Sequence, residues 1–340
     1  MATVDITDAK ELTLAVNNNV MPKRFLASFF TTVTHQTRDV MIDFVEGSQK
    51  LAPFVRDGDK ATEAKRGDFK TRFVHCYGIE LTRRTSAFEA LKRLPGEPAV
   101  VVSGLSPAAR AAELAGRDLK DLKGMTYRTI EKIIADGFFN GSYDITDAAG
   151  NKIDSIDFGR DAALSLSKTW SGTSYKSIDS DLDAAAVLVG QYSGLTATDI
   201  VMGSEAAKIA LENDAFLKKL DTKNLDGLRA SLTVTADARG ARLIGSVGGM
   251  RVWRYDEIYK DASGNIQNIV PKNKVLVLSE DLQATLHQGV VGDNDIGWFE
   301  GEFCADTWHE KNPAVDYLRV RSAPLPVIEQ INASCVITVA

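Results

Sequence analysis

Apolar residues recur three and four positions apart between Ser106 and Gly141. Leu119, Leu122, Ile130, Ile133 and Ile134 make one stripe. Glu113, Arg117, Asp118, Lys120, Asp121, Lys123, Arg128, Glu131 and Lys132 fill the polar face. This period predicts one long helix, continuous or broken in the middle. Ser106 has the chemistry of an N-cap, Pro107 suits the first turn, and Gly141 is a natural stop. At ~1.5 Å per residue the element spans roughly 50–55 Å. Gly116 and Gly124 are its weak points, at ~1 kcal/mol each relative to Ala. A one-sided stripe of this length calls for a sheet along one flank and water along the other.

The rest of the chain alternates between strand-like and helical patterning. Residues 1–22 read as a loose arm, with a short helix over Ala9–Val16 that Asn17, Asn18 and Asn19 break. Phe25-Leu26 and Phe29-Phe30 are apolar with no partner nearby in sequence. They must dock on the body of this chain or on another subunit. Val40–Val45 reads as a strand. Two further β-like runs, Leu51–Val55 and Phe69–Tyr77, flank an almost wholly polar tip from Arg56 to Asp68. The shape is a long hairpin that needs a surface to lie on, or a flexible surface loop. Ile79–Ser103 reads as connecting structure punctuated by Pro95-Gly96 and Pro98. After the helix, Ser142–Ile145 and Ile153–Phe158 flank Asp147 to Asn151 as a second hairpin. A Ser/Gly stretch from Ser171 to Ser180 reads as a crossover. An α/β pattern follows: helices over Asp181–Gln191, Ser204–Glu212 and Asp214–Leu220, and strands over Asp199–Met202, Arg242–Ser246, Met250–Tyr255 and Lys274–Leu278. Asp261 to Asn265 forms another hairpin turn. Leu318–Arg321 and Cys335–Val339 read as strands, with Pro324 and Pro326 restricting the link between them. The final strand is expected to be clamped in a sheet.

Composition narrows the function classes. At 340 residues the chain can build one large domain or two medium ones. No stretch approaches ~18 uncharged apolar residues, so no membrane span is expected. Met1 to Lys10 holds no apolar h-region, so secretion is not expected, and synthesis in a reducing cytoplasm is. Cys76, Cys304 and Cys335 are too far apart for a disulfide framework or a metal knuckle. The net charge of −6 argues against a nucleic-acid binder. The basic group Lys65, Arg66, Lys70 and Arg72 either touches phosphate or an acidic neighbour, or is a solvated hairpin face.

Motifs for catalysis are absent. There is no P-loop, no GxGxxG, no GxSxG and no HExxH. Gly245, Gly248 and Gly249 suit a strand–turn–strand. Asp179, Asp181 and Asp183 alternate as in an EF-hand, but Ala184 and Gly190 stand where Gly and Glu are required. Acids complementing a helix N-terminus explain them better. His309-Glu310 reads as a solvated turn before Pro313. Asn140-Gly141-Ser142 and Asn332-Ala333-Ser334 match the glycosylation pattern without a secretory route. No cofactor or metal is expected.

The order of parts carries a resemblance. The Phe25-Leu26 and Phe29-Phe30 arm and the Asn140-Gly141-Ser142-Tyr143 string are two of its markers. Asp157-Phe158-Gly159-Arg160, Phe216 to Thr222, Arg321 to Leu325 and Val336 to Ala340 are the others. In that order they resemble the lambda-like major head protein family of tailed bacteriophages, with the Hong Kong 97-type fold. The resemblance implies an α+β capsid fold. It comprises an N-terminal arm (1–47), an extended β-hairpin loop (48–80), a peripheral domain with a long spine helix (81–177 and 291–340) and an axial α/β domain (178–290). It implies a non-enzymatic protein that assembles with itself, as hexamers and pentamers, into an icosahedral shell around double-stranded DNA. The virion capsid is its place, and the bacterial host cytoplasm is where it is made. A small decoration protein, and a portal and scaffold during assembly, are the implied partners. Phe25, Phe29, Phe30, Arg56, Asp57, Asp59, Lys60, Glu63, Lys65 and Arg66 are the implied inter-subunit contacts. Lys60 and Lys65 lie in the loop, but nothing identifies a partner Asn or a catalytic Glu, so crosslinking is not expected. A bacterial nanocompartment shell and a soluble enzyme with an unrecognised site are the alternatives.

Overall fold

A computed structural model describes residues 9–18, 24–45, 69–86, 107–147, 149–170, 177–220, 241–261, 263–294, 297–312 and 314–339. Ser106, the Leu51–Val55 run and the whole Arg56 to Asp68 tip lie outside the described residues. In chain order, α1 (Ala9–Asn18) precedes a 3₁₀ turn (Leu26–Phe29), β1 (Thr31–Thr34), β2 (Asp39–Val45), β3 (Phe69–His75) and β4 (Ile79–Ser86). Next come α2 (Pro107–Asn140), β5 (Ser142–Thr146), β6 (Lys152–Asp157) and β7 (Ser165–Lys168). They are followed by α3 (Ile178–Ser193), β8 (Asp199–Met202), α4 (Ser204–Glu212) and α5 (Asp214–Lys219). The chain continues through β9 (Ala241–Val247), β10 (Met250–Tyr255), β11 (Ile258–Lys260), β12 (Ile266–Asn268), β13 (Lys274–Leu278) and β14 (Ala284–Gln288). It closes with β15 (Val291–Asp293), β16 (Gly297–Phe299), β17 (Cys304–Lys311), β18 (Ala314–Ser322), β19 (Pro324–Ile328) and β20 (Ser334–Val339).

α2 is one unbroken helix of 34 residues through Gly116 and Gly124. Its stripe serves two cores. Leu119 and Leu122 join Leu12 and Val16 of α1 and Phe303, Ala305, Leu318 and Val320 beneath one sheet. Ile130, Ile134 and Phe138 belong to the main core. Gly141 ends the helix at φ +77°, where L side chains are strained, and its N–H donates to Gly137 O at 2.9 Å. Two cations complete the end. The Arg160 guanidinium donates to Phe138 O, and Lys274 Nζ donates to Phe139 O at 3.2 Å. Both sit where the helix dipole favours positive charge. Burial lowers the Arg160 pKa to about 10.

The polar face is not uniformly wet, contrary to its period. Asp118, Lys123 and Glu131 are all buried. Arg83 Nη1 donates to Asp118 at 2.6 Å, and Lys123 Nζ donates to Val16 O at 2.7 Å. Elements from distant sequence arrive on that face, and a periodicity within one segment carries no trace of them.

A six-stranded sheet, in the order β7-β20-β13-β8-β10-β9, forms the middle layer. Val275 and Val277 face the cluster with α3, α4 and α5, while Leu276 and Leu278 face the α2 side. Burial on both faces explains the unbroken apolar run at β13. The last strand β20 is clamped between β13 and β7. This sheet mixes strands from 178–290 with β7 and β20, so pairing crosses the boundary drawn between axial and peripheral parts.

Two smaller sheets complete the frame, β1-β14-β19 and β17-β18-β4. β4 corrects the reading of Ile79–Ser103 as connecting structure, because Ile79–Ser86 pairs with β18. β19 corrects the reading of Pro324 and Pro326 as a link. It is an edge strand, and Tyr143 donates to Pro326 O at 3.0 Å. A residue's N–H and C=O point to the same side of a strand. The prolines therefore turn their missing donors away from β14, where edge strands tolerate them.

The acids at the start of α3 are helix-end groups. Lys219 pairs with Asp179, while Trp170 Nε1 and Lys168 Nζ reach Asp181, each at 3.0 Å. Trp170→Phe removes a buried donor and is expected to cost about 1–2 kcal/mol in denaturant unfolding. An unchanged midpoint would show that this bond contributes nothing.

Candidate inter-subunit surfaces

β2 and β3 form a hairpin with Asp39 opposite His75 and Val45 opposite Phe69. Phe69–His75 thus pairs with Asp39–Val45, and the hairpin root lies inside the span read as the arm, while Leu51–Val55 falls outside the described residues. Period-two alternation sorts its faces. Val40, Ile42 and Val74 point into the main core. Met41 and Phe73, directly opposite each other, are 59% and 75% exposed. Asp39 accepts a hydrogen bond from His75 at 2.7 Å beside them, and Arg72 donates to Ser155 O at 3.3 Å. The two side chains form an adjacent apolar pair on the outer face of the hairpin.

A groove of about 1260 Å³ runs along the second half of α2. Its floor includes Met125, Thr129, Ile133 and Asp136. The β5–β6 hairpin contributes Ile145 and Ile153 as one wall, and the start of β11 contributes Ile258 and Tyr259 as the other. Both hairpin tips use the same turn chemistry. Asp147 Oδ1 accepts from the N–H groups of Ala149 and Asn151, and Asp261 Oδ1 from those of Ser263 and Asn265. These bonds hold the Asp147 and Asp261 carboxyls below the usual range, the Asn151 and Asn265 contacts leading in each case.

The expected contacts divide. Phe25, Phe29 and Phe30 are 0%, 9% and 3% exposed within a single chain. Their rings are packed into this chain's own core. Phe25 packs on Trp253 and Tyr255 with ring centroids 4.8 and 5.8 Å apart, and Phe30 on Phe138 at 5.8 Å. Arg56, Asp57, Asp59, Lys60, Glu63, Lys65 and Arg66 lie outside the described residues.

The Phe25 turn is pinned by a carboxylate. Glu131 is fully buried and accepts from the N–H groups of Leu26 at 2.8 Å and Ala27 at 3.1 Å. Tyr255 Oη donates to it at 2.6 Å, and Arg24 pairs with Glu257 beside it. Burial pushes the Glu131 pKa up, and these bonds and Arg24 pull it back. A second buried knot ties the sheet. Asp199 accepts from Arg251 Nε at 2.7 Å and Trp253 Nε1 at 2.9 Å. Sequence reasoning missed Met41, Phe73 and both knots. Alternation across Val40-Met41-Ile42 marked Met41 as the outward position, but no local signal joins Glu131 to Tyr255.

Among the described residues, no group of three or more His, Cys, Asp or Glu could hold a metal, and no helix is long and apolar enough to cross a membrane. The three cysteines are free and buried.

Comparison with known proteins identifies the frame. No curated protein sequence matches the chain. A solved structure assigned as the capsid protein of a prophage of E. coli CFT073 superposes with TM-score 0.76 at 15% identity, covering 98% of this chain and 99% of that one. A phage-related protein from Bordetella bronchiseptica RB50 superposes with TM-score 0.56 at 11% identity, covering 98% of each chain. The shared α+β architecture is the Hong Kong 97-type capsid fold. A family model described as phage major capsid protein E matches residues 8–339, nearly the whole sequence. Its role is that of a self-assembling subunit of the virion capsid shell. The chain belongs to the phage major capsid protein E family.

Proposed function

We propose that copies of this chain associate as hexamers and pentamers of an icosahedral shell that encloses phage double-stranded DNA. The observation that carries this reading is the outward Met41–Phe73 pair on a hairpin whose other face is anchored in the chain's own core. One copy offers an apolar knob and a groove of roughly matching chemistry. A knob-to-groove contact between different surfaces is heterologous, and such contacts close into rings when the rotation allows. The charged residues from Arg56 to Arg66 lie between the two hairpin strands in sequence. In this reading they contact the neighbouring copy by charge complementarity, which steers and aligns partners. The net charge of −6 suits a container that encloses DNA without gripping it. The role is structural, without catalysis. Assembly takes place in the bacterial host cytoplasm with a portal and scaffold, and a small decoration protein is a further partner of the finished shell. The family match favours the phage shell over a nanocompartment.

Size-exclusion chromatography and negative-stain microscopy of the purified chain test this. Capsomers and closed shells are expected. A compact monomer that persists at high concentration under every assembly condition would overturn the reading. Deleting Asp57 to Gly67 is expected to leave the subunit folded and to prevent stable shells. Parent-like shells from that deletion would remove the loop from the contact.

A further inference from the structure

We propose that the His35–His287 imidazole pair is an acid-sensitive latch that holds the root of the β2–β3 hairpin against the body of the chain. His35 follows β1 and precedes β2 by a few residues, so it stands where the chain enters the hairpin. Its Nε2 lies 2.8 Å from His287 Nδ1 on β14, and its backbone N–H donates to Gln288 O at 2.8 Å. The rings are 5.0 Å apart and tilted by 38°. His287 is 8% exposed, and its Nε2 is buried with no hydrogen-bond partner among the described residues.

An N–H···N bond between imidazoles needs one of the two facing nitrogens to be bare. Two protonated rings would set two N–H groups and two positive charges head to head at that distance. The surrounding groups offer no relief. The cross-strand neighbours of His287 are Val33 on β1 and Leu325 on β19. Arg38, three residues beyond His35, spends its Nε on Val290 O at 3.2 Å and adds positive charge. Glu329, just past β19, accepts from Thr285, two residues before His287 on β14, at 2.9 Å. Asp39 is occupied by His75 at 2.7 Å. Cys76, packed by Gly289, has its thiol pushed up to about 11 by burial and stays neutral.

Burial first, then His35, holds the His287 pKa down from 6.5 to about 4. In a released root the imidazole returns to its ordinary value. The released form therefore binds a proton below about pH 6.5, while the latched form does so only near pH 4. Latching is at full strength above pH 6.5, weakens as pH falls through that window, and reaches a floor below about 4.

Hydrogen exchange of the full, unassembled chain tests this on peptides covering Thr31 to Arg38. After correction for intrinsic exchange, opening of these amides is expected to rise on the order of tenfold between pH 7 and pH 5. His287→Gln is expected to flatten the dependence. Equal protection at both pH values in the parent, or an undiminished rise in His287→Gln, would overturn the proposal. Should that variant fail to fold, the ring-proton titration of His287 in the parent decides. A midpoint well below 6 supports the latch, and an ordinary midpoint refutes it.

Discussion

Glu131→Ala is expected to cost the folded subunit about 3–5 kcal/mol. The carboxylate satisfies two backbone donors at Leu26 and Ala27 and the Tyr255 hydroxyl. Alanine leaves the Leu26 and Ala27 N–H groups without their acceptor in a site from which water is excluded, while the Tyr255 hydroxyl keeps Glu257 Oε2 at 3.1 Å. It also strips the negative charge that lies beside Arg24. The Phe25–Phe30 segment then loses the bonds that hold it on α2, and its rings are too apolar to remain in solvent. Glu131→Gln keeps the volume but one oxygen becomes a donor, so an intermediate loss of about 1–3 kcal/mol is expected. Denaturant unfolding of the unassembled chain measures both. An alanine variant with the parent's midpoint would mean that the knot contributes no net stability.

Charging the hairpin's outer face should abolish shells without unfolding the subunit. Met41→Asp with Phe73→Asp places two carboxylates on a pair that is already 59% and 75% exposed. Removing exposed apolar surface costs the monomer little, within roughly 0.5–1 kcal/mol each. Across a contact between copies, the same change buries unpaired charge and removes an apolar anchor. The penalty there is about 3–5 kcal/mol per contact, repeated at every copy in a ring. The expected result is a cooperatively folded subunit by circular dichroism and no particles by electron microscopy. Parent-like particles would show that this face is not part of the shell contact. Val74→Asp is the opposite control, because its 4% exposure places the charge in the core and the subunit itself should fail.

Much of the fold is legible in local patterning. The strands Asp199–Met202, Met250–Tyr255 and Lys274–Leu278 and the helix Ser204–Glu212 stand at the residues where alternation and helical period place them. Both Asp-to-Asn hairpin turns hold as well, because an Asx turn is decided within five residues. β4 and β19 are hidden for different reasons. Arg83-Arg84 make β4 look like a loop, since one of its faces is exposed. Two prolines disguise β19, since an edge strand tolerates missing donors that a central strand does not.

Periodicity and chemistry within a few residues were enough to set the long helix, its stop at Gly141, the apolar strands of the middle sheet and the order of parts that marks the capsid family. Packing across the whole fold settled the rest: what the Phe25–Phe30 cluster docks on, which strand pairs with Phe69–His75, and why Asp118, Lys123 and Glu131 leave the wet face of the helix. Those outcomes depend on contacts between separate elements, from 35 positions apart for Arg83 with Asp118 to 105 and 124 for Glu131 with Leu26 and with Tyr255. A helical period reports which side of a segment is apolar. It does not report which distant donors will arrive to satisfy a buried carboxylate, and here they turn a charged position on the spine into the anchor of the N-terminal segment.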